Sequence, residues 1–430
     1  MESSATQPAA VLRAATAAGH QVSWLVHDLA PYKLRAAGLP AGVTAVTGID
    51  TSDPDQAVAA ASTIHRTLPV DGCLTTSEGH LPAMAAIATV LGLRHEPPER
   101  IALMRNKAAV RTALTGSSVP QPAWRLVAAP DELAAALEAT GLPAVIKPVD
   151  GSGSIGVTVV HDLAAARPAL EDVLGRTSYG RNLRSAGQAL VEQFIPGELV
   201  SVEAFSRDGR HVPLALNRKR VGGLTAAVEL GGTLLPAPDG QVAGSGYAAA
   251  VTAATDALTA LGFRDGATHI ELIVGADGPW LVEVGPRIGG GPVPAALDLM
   301  LDRPVFAALI DLHLEGPWLP PRPVAAAAVG ALIAPTAGKL AVFTPTAPLA
   351  SGDADIVLAE SAVGDLVRPP RSNRDRLGFV GCRGDSPEQA EERLNRALSR
   401  VRIEVSEVAA PPGEAARSTT ALDGAETSAA

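Results

Sequence analysis

The stretch from His269 to Gly291 constrains this chain more than any other. Its arms, His269-Ile270-Glu271-Leu272-Ile273-Val274 and Trp280-Leu281-Val282-Glu283-Val284, are rich in β-formers. Between them Ala276-Asp277-Gly278-Pro279 has the chemistry of a turn. A hairpin is expected, and folding it back brings Glu271 beside Glu283. Two adjacent carboxylates repel unless a cation lies between them. An oxygen-only site of this sort suits Mg2+, which takes one or two protein carboxylates together with substrate phosphates. Pro286-Arg287-Ile288-Gly289-Gly290-Gly291 then adds a fixed cation and bare backbone amides, a place for phosphates and a second anion. An exposed charged hairpin is the plainer alternative, and the Arg and glycines directly after it argue against that.

At 430 residues the chain is too long for one core, so two or three domains are expected. Hydrophobic content of 47% with only 3% aromatics is a globular composition, much of it Ala. A formal charge of −10 argues against nucleic acid, which calls for a basic face. Basic residues are nearly all Arg; the lysines are Lys33, Lys107, Lys147, Lys219 and Lys339. Cys73 and Cys382 make neither a disulfide framework nor a metal spacing, which fits a reduced, cytoplasmic setting. Met1 to Ala10 lacks the regions of a signal peptide. Val324 to Ala334, the most apolar stretch, is too short to span a bilayer.

Residues 11–20 read as an amphipathic helix ending at Gly19, Val22 to Val26 as a buried strand, Gly72 to Thr76 as another, and Leu81 to Leu91 as a helix. That alternation implies a parallel, doubly wound unit, although Met1 to Ala10 does not read as the strand that should open it. A helical pattern over 99–115 carries Arg105, Lys107 and Arg111 and breaks at Val119-Pro120-Gln121-Pro122. A further α/β region runs from Trp124 to about Leu314. Pro-rich Gly316 to Pro323 is a linker candidate. Ala409 to Ala430 is Ala-, Pro-, Ser- and Thr-rich without periodicity and is expected to be disordered.

Gly151-Ser152-Gly153-Ser154-Ile155-Gly156 satisfies the GxGxxG pattern that three kinds of site share. A dinucleotide-binding loop opens a helix, whereas Val157-Thr158-Val159-Val160 here is a strand signal. A protein-kinase loop has its Lys on the next strand, and the next Lys here, Lys219, comes far too late. In this chain the Lys precedes the loop, in Ala144-Val145-Ile146-Lys147-Pro148. A strand delivers Lys147, and the hairpin after it can fold its amides over phosphate. A flexible surface hairpin is the alternative, which Lys147 argues against.

Lys107, Lys147-Pro148, this loop, Val191-Glu192-Gln193-Phe194-Ile195-Pro196-Gly197 and the Glu271…Glu283…Arg287 hairpin occur in the order found in the ATP-grasp superfamily, which the chain resembles over roughly 70–345. More narrowly it resembles the carboxylate–amine ligases that join amino acids into dipeptides. The resemblance implies an α/β ATP-grasp architecture: an N-terminal doubly wound parallel unit at 1–117, an ATP-grasp region at 118–315 with a mobile lid at about 118–195, and a small C-terminal domain at 324–408. It implies ATP, with Mg2+ or Mn2+, and small carboxylate and amine substrates, amino acids foremost, with no nucleic acid or membrane; a homodimer is compatible with it. Lys107 and Lys147 would contact the ATP phosphates, and Gly153 and Ser154 would cover them. The backbone of Glu192, Gln193, Phe194 and Ile195 would read adenine. Ser201-Val202-Glu203 matches the next strand and Lys219 the basic residue of the following strand pair. Glu229 would assist metal or substrate, Glu271 and Glu283 would hold the metal, and Arg287 would grip the carboxylate or acyl-phosphate, with Gly289 to Gly291, Gly290 at the centre, closing around it.

Two positions depart from the family pattern. The ribose-binding Glu should fall at Leu199, while the acid stands at Glu198, and neighbouring strand residues face opposite ways. The family's Glu-x-Asn-Pro-Arg is here Glu283-Val284-Gly285-Pro286-Arg287, without the Asn oxygen that helps a second metal. A purine-pathway or biotin-carboxylase-like ligase, and a nucleotide-binding regulator without turnover, are the alternatives. Lone histidines are usually structural, so His269 is expected to face the core or orient a neighbour. Glu78 reads equally as a substrate-side acid and as a helix-start charge. Lys33 and Lys339 are expected to be solvated.

Overall fold

The computed structural model describes residues 7–29, 39–180, 183–222, 228–237 and 245–407. Lys33, the first six residues and the expected disordered tail lie outside them.

The N-terminal unit opens with a helix, Pro8–Ala17, followed by strand Val22–Leu25, which pairs in parallel with Val43–Val46. Helix Pro54–Thr67 starts where Asp53 accepts hydrogen bonds from the amides of Asp55 and Gln56. Helix Leu81–Leu91 ends at Gly92, whose φ of 67° suits a residue without Cβ. Gly72 to Thr76, expected as a strand, forms no ladder. The helical pattern over 99–115 is two helices, Pro98–Met104 and Lys107–Ala113. Asn106 divides them, its side chain accepting from the Ala109 amide as an N-cap.

A four-stranded antiparallel sheet follows, in the order Trp124–Val127, Ala189–Gln193, Ala144–Pro148, Thr158–Val160. Helices Leu133–Thr140 and Leu163–Leu174 bury their apolar stripes against one face of it, around Ile146, Val160 and Val191.

The centre of the molecule is an eight-stranded sheet. Its order is Gly278–Gly285, Gly266–Gly275, Glu198–Arg207, Arg210–Gly222, Val228–Pro236, Ala326–Leu332, Gly378–Gly384, Ile356–Ala359, each neighbour antiparallel. Strand alternation decides what each face does. Val200, Val202, Ile270 and Leu272 face the long helix Ser245–Ala260. Phe205 and Ala267 point the other way, under helices Val293–Met300 and Val305–His313. Those two helices cover one end of that second face, and its other end carries the polar residues described below.

The Pro-rich segment after Gly316 does not end the sheet. Ala326–Leu332 pairs with Val228–Pro236, Gly231 opposite Gly330, so the last third of the chain extends the same ladder. Helix Pro387–Ser399 packs there on Ala328, Leu332 and Val380.

Candidate functional site

The hairpin at 266–285 pairs Glu271 with Glu283 directly. One strand over, Glu271 stands opposite Ser201 and His269 opposite Glu203, which brings these side chains to one face. Lys219 rises among them from the next strand, 6% exposed. Its ammonium lies 2.6 Å from Glu229 and bonds Glu271 as well. Burial works against that charge, but Glu229 and Glu271 hold it above the usual lysine range. His269 reaches Glu203 through Nδ1 at 2.6 Å and Glu271 through Nε2 at 3.3 Å. Burial would make the imidazole neutral; Glu203 and Glu271 outweigh it and raise it to about 9. His269 is therefore charged at neutral pH and orients the Glu271 carboxylate.

The four-stranded sheet supplies the opposite wall. Lys147, 4% exposed, meets Glu192 at 2.6 Å. Arg111, fully buried, donates to the other oxygen of Glu192 at 2.8 Å and to the Val282 carbonyl at 2.9 Å. Lys147 Nζ lies 3.4 Å from that carbonyl, beside Glu283. Two buried cations thus share one carboxylate. Burial pulls Lys147 below its usual range in spite of Glu192.

Lys107 bridges the two walls, donating to the Gly151 carbonyl at 2.6 Å and pairing with Glu283 at 3.2 Å. Beyond Gly151 the loop turns through Gly153, Ser154 and Gly156 at φ of 68°, 61° and 75°. Ser154 holds that conformation without a glycine's freedom, a strain of roughly 1 kcal/mol or more that tends to collect at ligand-binding turns.

Arg287 closes a third side, its Nε and Nη2 donating to Glu78 Oε2 at 3.0 and 2.7 Å. Glu78 opens a short 3-10 turn, Glu78–His80, and at the same time faces the cluster through Arg287. After Arg287 the Gly289 amide donates to Glu203 Oε2 at 3.3 Å. A Cβ at Gly289 would lie 2.9 Å from that oxygen, and one at Gly290 would meet nothing within 4 Å. A cleft of about 820 Å³ lies beside Glu78, Arg105, Asp150, Ser152 and Tyr179, between the loop and the N-terminal unit.

Two sequence expectations change. Glu198 is not among these residues: Leu199, Ser201 and Glu203 share the polar face, so Glu198 points to the other one. There it bonds Tyr247 at 2.7 Å and Arg218 at 3.2 Å. In the 192–195 stretch the amides of Gln193 and Phe194 are committed to the carbonyls of Ala123 and Pro143. Among the described residues the Ile195 amide has no hydrogen-bond partner and is open for a base to meet.

Sequence reasoning gave no role to Arg111, although its i, i+4 spacing from Lys107 puts both on one helix face. Glu203 entered only as part of a strand pattern. Lys339 is exposed, as expected. Among the described residues no three His, Cys, Asp or Glu side chains could hold a metal by themselves. Glu271 and Glu283 fit the other mode, two carboxylates completed by substrate phosphates.

Residues 140–294 match the ATP-grasp domain model. The chain belongs to the ATP-grasp superfamily. Residues 12–95 match the ATP-grasp N-terminal domain, and 331–406 match the L-amino acid ligase C-terminal domain 2. This ATP-grasp protein is 28% identical to the uncharacterized protein y4rH of Sinorhizobium fredii, over 84% of the chain and 74% of that protein. It is 22% identical to the L-arginine-specific L-amino acid ligase of Bacillus subtilis, over 57% of the chain, and spans 58% of that ligase. The crystal structure of an L-amino acid ligase from Bacillus licheniformis superposes with a TM-score of 0.78 at 22% identity, covering 94% of this chain and 98% of that one. The superfamily generally uses ATP and Mg2+. With these relatives the chain stands as an ATP-dependent ligase of the kind that forms carbon–nitrogen bonds. Among the described residues no helix is long and apolar enough to cross a membrane.

Proposed function

We propose that this ATP-grasp ligase activates the carboxylate of an amino acid as an acyl-phosphate and joins it to an amine. The observation that carries this reading is the bridge made by Lys107 and Lys147. Lys107 meets Glu283 on the hairpin itself, and Lys147 meets Glu192 and the hairpin's Val282 carbonyl. A carboxylate oxygen attacks the γ-phosphorus and ADP leaves. The amine nitrogen then attacks the acyl carbon, phosphate leaves and the nitrogen loses a proton. Such transfers ask mainly for positioning and charge stabilisation.

Lys107 and Lys147 bind the phosphates, and the amides around Gly153 and Ser154 cover them. Ile195 meets the adenine edge through its backbone. Glu271 and Glu283, with Glu229 beside them, are the carboxylates that would hold Mg2+, which when bound neutralises phosphate charge. Lys219 and His269 keep Glu271 ionised and oriented. Arg287 meets the negative charge of the reacting acyl group, and Gly289 to Gly291 let it approach the backbone. Closure of 151–156 excludes water that would hydrolyse the acyl-phosphate. The working parts divide at about 117, while the residues after 324 continue the central sheet. A cytoplasmic setting fits the two free cysteines.

Purified protein with ATP, Mg2+ and pooled amino acids tests this reading. ADP release that depends on an amino acid, with a product lighter than the summed substrates by one water, supports it. The absence of Asn at Gly285 favours a second reading, a nucleotide-binding regulator; ATP binding without ADP in every mixture would establish that one instead.

A further inference from the structure

The glycine loop is anchored at its base. Gly151 and Gly156 both rest on Pro148, where an added Cβ would lie 3.1 Å from Cγ in each case. Asp150, the residue before the loop, is gripped twice. Its Oδ1 accepts from the Tyr179 hydroxyl at 2.7 Å, and its Oδ2 accepts from the Ala186 amide at 2.8 Å. The Tyr179 oxygen also lies over Gly151, 3.4 Å from where a Cβ would stand, and accepts from the Ser185 hydroxyl at 3.3 Å. Burial and the Asp150 carboxylate keep the phenol protonated, so it donates to that acid.

Tyr179 belongs to a short antiparallel pair, Ser178–Gly180 with Leu183–Arg184, whose residues line the cleft beside Glu78. Two other parts of the molecule touch this pair. Leu183 packs against Gly79, the residue after Glu78. From the C-terminal segment, Arg374 Nη2 donates to the Tyr179 carbonyl at 3.1 Å. Arg374 sits in the 3-10 turn Asn373–Asp375, which Ser372 caps and Asp375 ties to the amides of Arg371 and Ser372. Asn373 of the same turn accepts from the Glu229 amide at 2.9 Å. One tyrosine thus fastens the base of the loop to the segment that also holds strand Val228–Pro236. A bond serving the lid's folding alone would lie in its core, around Ile146 and Val191. This one lies at the rim, between the loop and the C-terminal segment.

We propose that Tyr179 is the positioning residue of the glycine loop, with Arg374 holding it in place from the C-terminal segment. Tyr179 acts through Asp150 and Gly151 and does not itself touch nucleotide. The inference rests on the reading that 151–156 covers the phosphates, and it adds which residues lock the loop there. A looser loop admits water, which attacks the acyl-phosphate, restores the acid and releases phosphate without forming an amide.

The test follows hydrogen–deuterium exchange of the full chain with Mg2+ and the non-hydrolysable ATP analogue AMP-PNP, for wild type, Tyr179→Phe, Arg374→Met and the double variant. In wild type the nucleotide slows exchange across 151–156. Tyr179→Phe loses a hydrogen bond to a charged group, and exchange there quickens about tenfold or more. Arg374→Met loses an exposed contact and quickens it about two- to fivefold. The double variant matches Tyr179→Phe, because the two residues act in series. Exchange in the paired strands Ala144–Pro148 and Ala189–Gln193 stays at the wild-type rate throughout. In turnover, Tyr179→Phe releases ADP in excess of amide product, whereas wild type keeps the two equal. Failure of every mixture to release ADP would sink the ligase reading alone, since exchange with AMP-PNP needs no turnover. Loop exchange unchanged in Tyr179→Phe, no slowing by nucleotide in wild type, effects that add in the double variant, or a quickening that spreads equally through the paired strands would overturn the inference.

Discussion

Glu192 is the single counter-charge for two buried cations, and that imbalance can be measured. Lys147, Arg111 and Glu192 are 4%, 0% and 4% exposed, so no member is relieved by water. Burial alone would raise the Glu192 carboxyl, and Arg111 and Lys147 hold it below the usual range. Glu192→Gln leaves both cations facing a neutral amide. Removing one partner of a buried ion pair costs about 3–5 kcal/mol. At about 2–4 °C per kcal/mol for a unit of 150–250 residues, the unfolding temperature should fall by roughly 6 to 20 °C. Lys147→Met should behave oppositely: Arg111 keeps Glu192 for itself, an apolar stem fills the space, and stability should stay within about 1 kcal/mol of wild type. The same Lys147→Met protein should lose the stabilisation that MgATP gives wild type, because the spare charge was the one that meets phosphate. Thermal unfolding of the three proteins with and without MgATP reads both effects. Equal destabilisation by the two substitutions would refute the idea that Lys147 is held in excess for a ligand.

Three further outcomes are expected. His269, raised to about 9 from 6.5, contributes stability that is fully present below about pH 6.5 and lost as pH rises through 9. The contribution is about 3 kcal/mol, so magnesium-free protein should weaken between pH 7 and 10 by about that much, and His269→Asn should flatten the decline; a slope unchanged in the variant would exclude His269 as its source. Gly285 has room for a side chain, the nearest atom being the His269 carbonyl oxygen at 3.5 Å. Gly285→Asn should therefore fold normally and lower the Mg2+ concentration needed for half-maximal ADP release, and an unaltered magnesium curve would deny that position a metal role. Arg287→Lys cannot reproduce the two bonds to Glu78 and should lower amino-acid-dependent ADP release at least 100-fold, with Arg287→Ala abolishing it; full activity in either removes Arg287 from the mechanism.

What could be read from the sequence depended on how local the cause was. The Glu271–Glu283 pair needs only two β-rich arms and a turn between them, all within the sixteen residues from His269 to Val284. Lys147 was legible for the same reason, a strand ending in Lys-Pro before a glycine loop. Gly72 to Thr76 had strand composition, but a ladder needs a neighbour, and the paired strands of that unit are Val22–Leu25 and Val43–Val46. The break at Asn106 was hidden because apolar spacing continues through it while the cap interrupts the backbone. Arg111 was passed over because a basic residue on a helix normally faces solvent; its burial depends on Glu192, 81 positions later.

The continuous central ladder has a practical consequence for anyone dividing this protein. A fragment stopped in the proline-rich segment would strip Ala326–Leu332 from Val228–Pro236 and leave a bare, apolar border there. Such a fragment should aggregate instead of behaving as a minimal enzyme.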